Sequence, residues 1–412
     1  MIQIKSFFSK LFTSNKQGEK LITIAIYILL AFGCLFISSA SINSASTIET
    51  TLKNIIKQVL ILAASIVLFN LASNYFDIKK CKRIILGIMI VEAMLLVTAF
   101  IYCKITGSIN GNYSWFTINL GFFEFGLQPS EFAKGVIILA IACLFCDRKF
   151  KNEKSFKIVF WTFTFFFLFF VLTIVVLQRD TGSGLILFII GCSLILFLDN
   201  RRFKPLQIFL IVCALLALAA FFCCLLSEQA REILAKISTT FAARFSAVTN
   251  PDYAKDETRE IFYSLLGISR GELFGVGIGN SVQKFGYLVS SDADYIFAVI
   301  IEEIGIFGIL MVFVPYIALI SLLLFYSQKM TNETDKIILI GTVIYLSVHF
   351  LLNIGGVSGL LPLTGVPLLL ISRGGSACFG IMVMLGICQN RIANYFLEKK
   401  KKVDLLVKEK RK

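Results

Sequence analysis

Residues 205–226 read PLQIFLIVCALLALAAFFCCLL, an apolar run without a single charged side chain. The hydrocarbon core of a bilayer is ~30 Å thick, and an α-helix of about 20 apolar residues crosses it. The run therefore predicts a membrane-spanning helix. A strand of a membrane barrel is excluded, because such strands alternate apolar and polar residues.

Runs of similar length and composition recur along nearly the whole chain. Of its 412 residues, 57% are hydrophobic and only 16% are charged, which is more apolar than a water-soluble domain. We predict an all-α integral membrane protein, a bundle of about ten transmembrane helices. The predicted spans are residues 21–41, 53–73, 83–103, 129–146, 157–177, 181–198, 205–226, 294–326, 337–357 and 366–390.

The positive charges are concentrated in alternate connections between these spans. Segments on one side hold 27 of the 40 Lys and Arg residues, and these segments are 1–20, 74–83, 148–157, 199–204, 327–336 and 391–412. Two loops on the other side, 42–52 and 355–365, hold none. By the positive-inside rule, both termini are predicted to be cytoplasmic. The net charge of +14 has the same origin, so lysines 399–402 are expected to face anionic lipid, and no nucleic-acid partner is predicted.

The spans and the charges together predict the organisation of the chain. It consists of a cytoplasmic N-terminal segment (1–20), a ten-helix membrane domain (21–390) and a basic cytoplasmic tail (391–412). The large outside loop, residues 227–293, is too long to be structureless in a compact fold, so it is expected to be functional or partly helical. Within it, Glu228–Ala243 has the pattern of an amphipathic helix at the membrane interface.

The fourth predicted span opens with QPSEFAK at residues 128–134. Pro129 suits the first helical position, where its missing N–H costs nothing, and Glu131 suits the positive end of the helix dipole. Glu131 and Lys134 are three residues apart and can pair on one helix face. Two interpretations stay open: an interfacial cap with a snorkelling lysine, or a functional pair, because ionisable residues at membrane depth are commonly functional.

Trp115 ends the outside stretch NGNYSW at residues 110–115 and is one of two tryptophans in the chain. Aromatic residues at the interface are usually anchors. An indole ring is also a suitable platform for the face of a sugar. Residue type alone leaves both interpretations open.

The end of the large loop combines glycines with acidic residues. Residues 271–281 read GELFGVGIGNS, and no predicted strand precedes them, so they favour close approach to a ligand rather than a dinucleotide fingerprint. Asp292 and Asp294 are close enough for one carboxylate to raise the pKa of the other, which suits a general base or a cation site. The alternative is a helix cap. Glu302 and Glu303 lie about two turns deeper, ~12 Å along the helix.

Residues 353–367 read NIGGVSGLLPLTGVP, and residues 372–376 read SRGGS. Gly and Pro at this density predict broken helix and irregular backbone at membrane depth. Such backbone persists only where protein buries it or where it lines a wet cavity. His349, one turn before Asn353, is interpreted as a hydrogen-bonded core residue in preference to a ligand.

These segments resemble those of the SEDS family, the FtsW, RodA and SpoVE proteins, in order and spacing from the first span to the last. The resemblance is carried by Trp115 followed by QPSEFAK, Arg244 with Asn250 and Pro251, GELFGVGIGNSVQK, DADYIFAVIIEE, and NIGGVSGLLPLTGVP with SRGGS. It implies a peptidoglycan glycosyltransferase at the outer face of the bacterial cytoplasmic membrane. Such an enzyme polymerises lipid II in cell division or cell-shape maintenance, and its partner is a class B penicillin-binding transpeptidase.

The resemblance also implies a mechanism and a set of site residues. The 4-hydroxyl of one lipid-linked disaccharide attacks the anomeric carbon of another and expels polyprenyl pyrophosphate with inversion. Asp294 matches the essential Asp of the family and is expected to act as the base or to bind a divalent cation, Mg²⁺ or Mn²⁺. The predicted substrate-binding residues are Trp115, Glu131, Lys134, Arg244, Asn280, Lys284, Asn353 and Ser372.

Some positions depart from the family pattern. Arg179 replaces the Pro of a Gln-Pro-Asp triplet, Ser114 replaces an Arg, and Arg373 replaces a Tyr. Asp292 lies in VSSDA (289–293), where the family has Pro-Glu-x-His/Gln-Thr. The residues whose roles stay open are Arg179, Asp292, Glu302, Glu303 and Arg373. The outward cations available to hold a diphosphate are Arg179, Arg244, Lys284 and Arg373.

Two other classes of function are compatible with these features. A flippase for the same lipid-linked precursor would also need intramembrane charges and broken helices. A scaffold that only recruits division proteins is the third class. Purified protein with labelled lipid II in detergent distinguishes them, because polymer forms only if the protein is a polymerase and detergent leaves no bilayer to flip across.

The charge asymmetry makes a prediction about topology. A reporter that is active only outside the cytoplasm should be active when it is fused within residues 227–293 and inactive when it is fused after Lys412. Reporter activity in intact cells is the measurement for each of the two fusions. The reverse pattern would place the large loop in the cytoplasm and overturn the outside assignment of the predicted site.

Overall fold

The computed structural model describes residues 18–42, 47–108, 111–119, 124–146, 152–237, 239–249 and 256–409. Its elements in chain order are α1 (Lys20–Ala40), α2 (Ile48–Tyr75), α3 (Ile78–Thr106), β1 (Phe116–Asn119), β2 (Glu124–Leu127), α4 (Pro129–Phe145), α5 (Glu153–Leu172), α6 (Thr181–Leu196), α7 (Lys204–Leu226), α8 (Glu228–Ile237), α9 (Thr239–Thr249), α10 (Asp256–Gly271), α11 (Ile296–Ile304), α12 (Ile306–Lys329), α13 (Glu333–Val357) and α14 (Gly375–Glu409). A π-helical turn, Thr173–Leu177, extends α5, and a 3₁₀ turn, Arg201–Phe203, precedes α7.

Long apolar helices make up most of the molecule. Within the described residues, eight helices are long and apolar enough to cross a membrane: α1, α2, α3, α5 with its π-helical turn, α7 with its 3₁₀ turn, α12, α13 and α14. Helices α4 and α6 are shorter, with 17 and 16 residues, and lie at the predicted spans 129–146 and 181–198. The prediction of an all-α membrane protein that crosses the bilayer several times is confirmed.

Two of the predicted spans have the wrong bounds. Span 294–326 is divided into α11 and α12 at Gly305, whose φ of 62° lies in the left-handed region that glycine adopts at little cost. Span 366–390 begins only at Gly375, because the Gly- and Pro-rich residues before it do not form a helix. Helix α14 then continues to Glu409, through most of the segment that was predicted as a tail.

The long loop 227–293 contains three helices, α8, α9 and α10, which confirms the expectation that it is partly helical. The predicted amphipathic helix Glu228–Ala243 is divided between α8 and α9. Between α3 and α4, strands β1 and β2 form an antiparallel hairpin in which Phe116 lies opposite Leu127. Asn250 and Pro251, which contributed to the resemblance, lie outside the described residues.

Helix α4 lies inside the bundle, and α7 lies at its periphery. Of the 17 residues of α4, 14 are buried, and they include Glu131 and Lys134. In α7, by contrast, every residue is at least partly exposed. Ionisable side chains on an enclosed helix must be paired, because an unpaired charge in a membrane is expensive. The QPSEFAK motif is therefore inside the protein and not at its lipid-facing surface.

Residues 358–374, the irregular segment, connect α13 to α14 without helical structure. The side-chain amide of Asn353 donates a hydrogen bond to the carbonyl of Val366 at 2.8 Å. Helix α1 approaches closely at Gly33, where an added Cβ would lie only 2.7 Å from the Cα of Ile371. Residues 368–372 of this segment are buried, and residues 365–367 border a cavity, which are the two surroundings predicted for such backbone at membrane depth.

Candidate active site

A cavity of about 300 Å³ lies between α4, the start of α6, the irregular segment and the turn before α11. The predicted site residues that line it are Trp115, Glu131, Lys134, Asp294 and Arg373. Further lining residues, which were not predicted as site residues, include Asn112, Gln128, Asp180, Ser183, Ser290 and His349. Arg373 is exposed, whereas Glu131, Lys134 and His349 are buried, so the cavity extends from the protein surface into its interior.

Asp294 lies in the turn that leads into α11, and its carboxylate borders the cavity. Among the described residues, no side chain forms a hydrogen bond or an ion pair with this carboxylate. Burial, assisted by the negative charges of Glu260 and Asp292, raises the pKa of Asp294 to about 6. A carboxylate with this pKa is ionised at neutral pH and can still accept a proton, as a general base must.

A buried cluster of α4 and α13 side chains forms the inner end of the cavity. The ammonium of Lys134 is 2.6 Å from Glu131 Oε1 and 3.2 Å from His349 Nε2. The Tyr345 hydroxyl donates to the second oxygen of Glu131 at 3.2 Å, and His349 Nδ1 is 3.2 Å from the carbonyl of Pro367. Lys134 therefore holds a positive charge at the inner end of the cavity, and two acceptors fix its position.

His349 is the only histidine in the chain. It is hydrogen-bonded and buried, as the sequence interpretation expected, but it also lines the cavity. The sequence signal for a role of His349 at the site was its position one turn before Asn353. Both side chains contact the irregular segment, at Pro367 and Val366. Sequence reasoning did not connect it with Lys134, which is 215 residues away in the chain.

Gln128 and Asp180 form a second polar contact that the sequence did not predict. The amide of Gln128 donates to Asp180 Oδ2 at 2.6 Å. The other carboxylate oxygen of Asp180 accepts from the backbone N–H of Ser183 at 3.0 Å and so caps α6. Arg179, directly before it, has a φ of 57°, a conformation that is costly for a residue with a side chain. The strained turn places Asp180 at the cavity.

Trp115 borders the cavity from the hairpin side. An added Cβ on Gly126 would lie 3.0 Å from the indole ring, so the ring packs directly on strand β2. The thiol of Cys103, near the end of α3, donates to the Trp115 carbonyl at 3.0 Å. The hairpin and α3 thus hold the ring in place at the edge of the cavity.

Lys284, Glu302 and Glu303 do not line the cavity. The ammonium of Lys284 is fully buried and 3.0 Å from Glu303, whose carboxylate also accepts from Ser39 of α1. Glu302 accepts from the Ser281 hydroxyl and from the neighbouring backbone N–H groups 282 and 283. Lys284 was expected among the cations free to hold a diphosphate, and this expectation is corrected because its charge is already used to fix the glycine-rich loop.

Asn353 and Ser372, two other predicted substrate-binding residues, form hydrogen bonds to the backbone. Asn353 and Ser372 donate to the carbonyls of Asp294 and Ala293, at 2.9 and 2.7 Å, and so position the turn that carries the carboxylate. Neither borders the cavity, so the structure places both as supports of this turn and does not bring them to the cavity itself.

Asn280 and Arg244 are also away from the cavity. The amide of Asn280 is exposed and donates within its own loop, to the Val276 carbonyl at 3.3 Å. Arg244 lies on α9 and is half-buried. The structure therefore does not bring these two predicted substrate-binding residues to Asp294.

The open positions Arg179, Asp292 and Arg373 lie close to the cavity. Arg373 lines it and forms an ion pair with Asp292, at 2.6 Å between Nη1 and Oδ2. The guanidinium of Arg179 lies 5.7 Å from the centre of the Tyr113 ring. Arg373 is thus the predicted outward cation that borders the same space as Asp294.

A comparison with protein families identifies the family of this chain. The family of cell cycle proteins that comprises FtsW, RodA and SpoVE matches residues 19–395. The chain therefore belongs to the FtsW/RodA/SpoVE family, as its motifs predicted.

Similar proteins span nearly the whole chain. The probable peptidoglycan glycosyltransferase FtsW of Bacillus subtilis (strain 168) is 29% identical over 95% of this chain and 95% of that protein. The corresponding FtsW of Synechocystis sp. is 30% identical, covering 90% of this chain and 88% of its own length. Stage V sporulation protein E of Bacillus subtilis is 26% identical over 92% of this chain and 98% of that protein.

Solved structures share the fold. A chain from a peptidoglycan synthase complex, described as coordinating polymerization and crosslinking, superposes with a TM-score of 0.65 at 19% identity, covering 92% of this chain and 98% of that chain. RodA of Thermus thermophilus superposes with a TM-score of 0.57 at 18% identity, covering 92% and 97%. At these identities the likeness shows the fold alone.

The environment of Asp294 predicts where this carboxyl titrates. It should be protonated below about pH 6 and ionised above it, because burial and two neighbouring acids disfavour the charge. Infrared difference spectra between the protein and its Asp294→Asn variant, recorded from pH 4 to 8, should locate the carboxyl band. Glu260→Gln removes the larger of the two repulsions and should move the midpoint to lower pH. A midpoint near 4, the ordinary value for Asp, would contradict this environment.

Proposed function

We propose that this protein is a peptidoglycan glycosyltransferase, which joins lipid II disaccharide units into glycan strands at the outer face of the bacterial cytoplasmic membrane, in cell division or cell-shape maintenance. The observation that carries the proposal is the carboxylate of Asp294, which has no counter-ion among the described residues and borders the same cavity as a buried cation, Lys134, and an exposed one, Arg373. The names of the relatives support the same activity.

The reaction needs a proton acceptor and positive charge. Asp294 takes the proton of the acceptor 4-hydroxyl as its oxygen forms a bond to the anomeric carbon of the donor. The bond between that carbon and the diphosphate oxygen breaks on the opposite face, which inverts the anomeric configuration. The polyprenyl diphosphate leaves with the bonding electrons, and cations such as Arg373 stabilise its charge. Asp294 afterwards releases its proton to water.

A divalent cation, Mg²⁺ or Mn²⁺, is compatible with this chemistry. Among the described residues, no three His, Cys, Asp or Glu side chains converge to form a complete metal site. Mg²⁺ often takes only one or two protein carboxylates and completes its shell with substrate phosphates and water. Asp294 would be the protein ligand, and the bound ion would neutralise charge on the leaving diphosphate.

The proposal extends to topology and partner. Both termini lie in the cytoplasm in this proposal, which rests on the distribution of Lys and Arg. A class B penicillin-binding protein is the proposed partner, supported by the similarity to a chain from a complex described as coordinating polymerization and crosslinking. Substrate and partner then meet outside the cytoplasm, where the peptide crosslinks are made.

The rival function is a flippase for a lipid-linked cell-wall precursor. The carboxylate of Asp294, which has no side-chain partner among the described residues, suits a general base, whereas translocation by itself requires no proton acceptor. Purified protein with labelled lipid II in detergent tests the choice, because polymer in detergent can arise only from transferase activity. Hydrolysis of the product to disaccharides by a muramidase would confirm its identity.

Asp294→Asn should abolish polymer formation without lowering the yield of folded protein. The amide keeps the size of the side chain but cannot accept the proton, and general-base catalysis typically contributes ~10²- to 10⁴-fold. Gel electrophoresis of the products measures polymer formation, and the melting temperature of the protein in detergent measures folding. Glu232→Gln, which makes the same change on an exposed residue of the same loop, should leave the rate unchanged. If Asp294→Asn keeps its activity and Asp292→Asn does not, Asp292 is the base.

Trp115→Ala should lower the polymerisation rate and leave membrane insertion intact, because the ring is held at the cavity edge where it can stack on a sugar. Stacking on an aromatic ring is worth about 0.5–1.5 kcal/mol, or roughly two- to tenfold in rate. The matched control is Trp161→Ala, since Trp161, the second tryptophan, is 65% exposed on α5. Full activity of Trp115→Ala would show that Trp115 is only an anchor.

A further inference from the structure

Three charged side chains form a cluster at the exposed end of the cavity, the mouth cluster of Lys57, Asp292 and Arg373. Arg373 donates to the Asp292 carboxylate at 2.6 Å, and its backbone N–H donates to the Asp292 carbonyl at 2.9 Å. The ammonium of Lys57, on α2, donates to the Glu124 carbonyl and lies within electrostatic range of both Arg373 and Asp292. The carboxylate of Glu124 also lies within electrostatic range of Lys57, so two anions, Glu124 and Asp292, accompany the two cations.

The ion pair in this cluster is exchangeable. The side chain of Arg373 is 40% exposed and that of Asp292 is 19% exposed. An ion pair that reaches solvent contributes little net stability, so little is lost when another anion replaces the carboxylate. The backbone hydrogen bond between the two residues does not depend on the side chains and can persist during the exchange.

The two residues of the pair are also positions at which this chain departs from its family pattern. Arg373 stands in place of a Tyr, and Asp292 lies in a stretch where the family has other residues. A neutral Tyr needs no counter-ion, whereas an Arg beside a second cation such as Lys57 does. The ion pair between Arg373 and Asp292, at 2.6 Å, links the two departures, because Asp292 supplies the counter-ion that Arg373 needs.

We infer that Asp292 occupies the place of a substrate diphosphate at Arg373, and that the diphosphate of a prenyl-linked donor displaces it on binding. A guanidinium binds phosphate oxygens through two parallel N–H donors, and Lys57 adds a point charge beside it. Asp292 then acts as a built-in competitor that lowers the affinity for the ligand. The inference rests on the proposed function for the identity of the donor, but not for the anion site itself.

Binding of farnesyl diphosphate, a short prenyl diphosphate, tests the exchange without any polymerisation. Asp292→Asn should tighten binding roughly two- to fivefold, since it removes a weak competing ion pair. Arg373→Gln should weaken binding roughly tenfold or more, since it removes charge-assisted hydrogen bonds. The double variant should bind nearly like Arg373→Gln alone, because the ion pair of Asp292 is with Arg373. Lys53→Gln, an exposed lysine one turn away on α2, is the control for general charge effects and should bind like the wild type.

A charge swap distinguishes ligand binding from a merely structural latch. Asp292→Arg combined with Arg373→Asp keeps an ion pair but removes the guanidinium from position 373. Weak binding by a swapped protein with wild-type melting temperature would support the inference, and wild-type binding would overturn it. Unchanged or weaker binding by Asp292→Asn would also overturn it. Absence of polymer from lipid II with the wild type would instead refute the proposed function, whatever the binding results.

Discussion

The structure depends on the requirement that backbone which leaves the helical conformation inside a membrane must still be hydrogen-bonded. Asn353 meets this requirement next to the candidate site. Its side-chain amide donates to the Val366 carbonyl at 2.8 Å and to the Asp294 carbonyl at 2.9 Å. One side chain therefore joins the irregular segment to the turn that carries the candidate base. The contact that makes irregular backbone tolerable also fixes the position of the carboxylate.

Two buried Lys–Glu pairs share the same chemistry and differ in their surroundings. Lys134 and Glu131 are 2.6 Å apart and border the cavity, whereas Lys284 and Glu303 are 3.0 Å apart and enclosed by protein. Loss of one partner from such a pair leaves an uncompensated buried charge and costs about 3–5 kcal/mol. Both pairs are therefore costly to break, but only the first borders space that a ligand can occupy.

This difference shows what the sequence can predict here. Hydropathy predicts the helices because each span is a local property of the chain, and the pairing of Glu131 with Lys134 follows from a spacing of three residues. The partner of Lys284 is Glu303 on α11, 19 residues further along the chain, and Gln128 is 52 residues from Asp180. Such contacts are set by how the loops fold onto the bundle. Burial of Lys284, and the approach of Asp180 to the cavity, could therefore not be read from spacing.

Two departures from the family pattern change the surroundings of Asp294. Arg179 has a φ of 57°, and the ring of a proline fixes φ near −65°, so a proline at this position would require another conformation of the turn that presents Asp180. Arg373 replaces a neutral ring by a charge that Asp292 balances. The change at position 179 alters the backbone conformation, and the change at position 373 alters the electrostatics. Asp180, Arg373 and Asp294 line the same cavity, so both departures lie beside the candidate base.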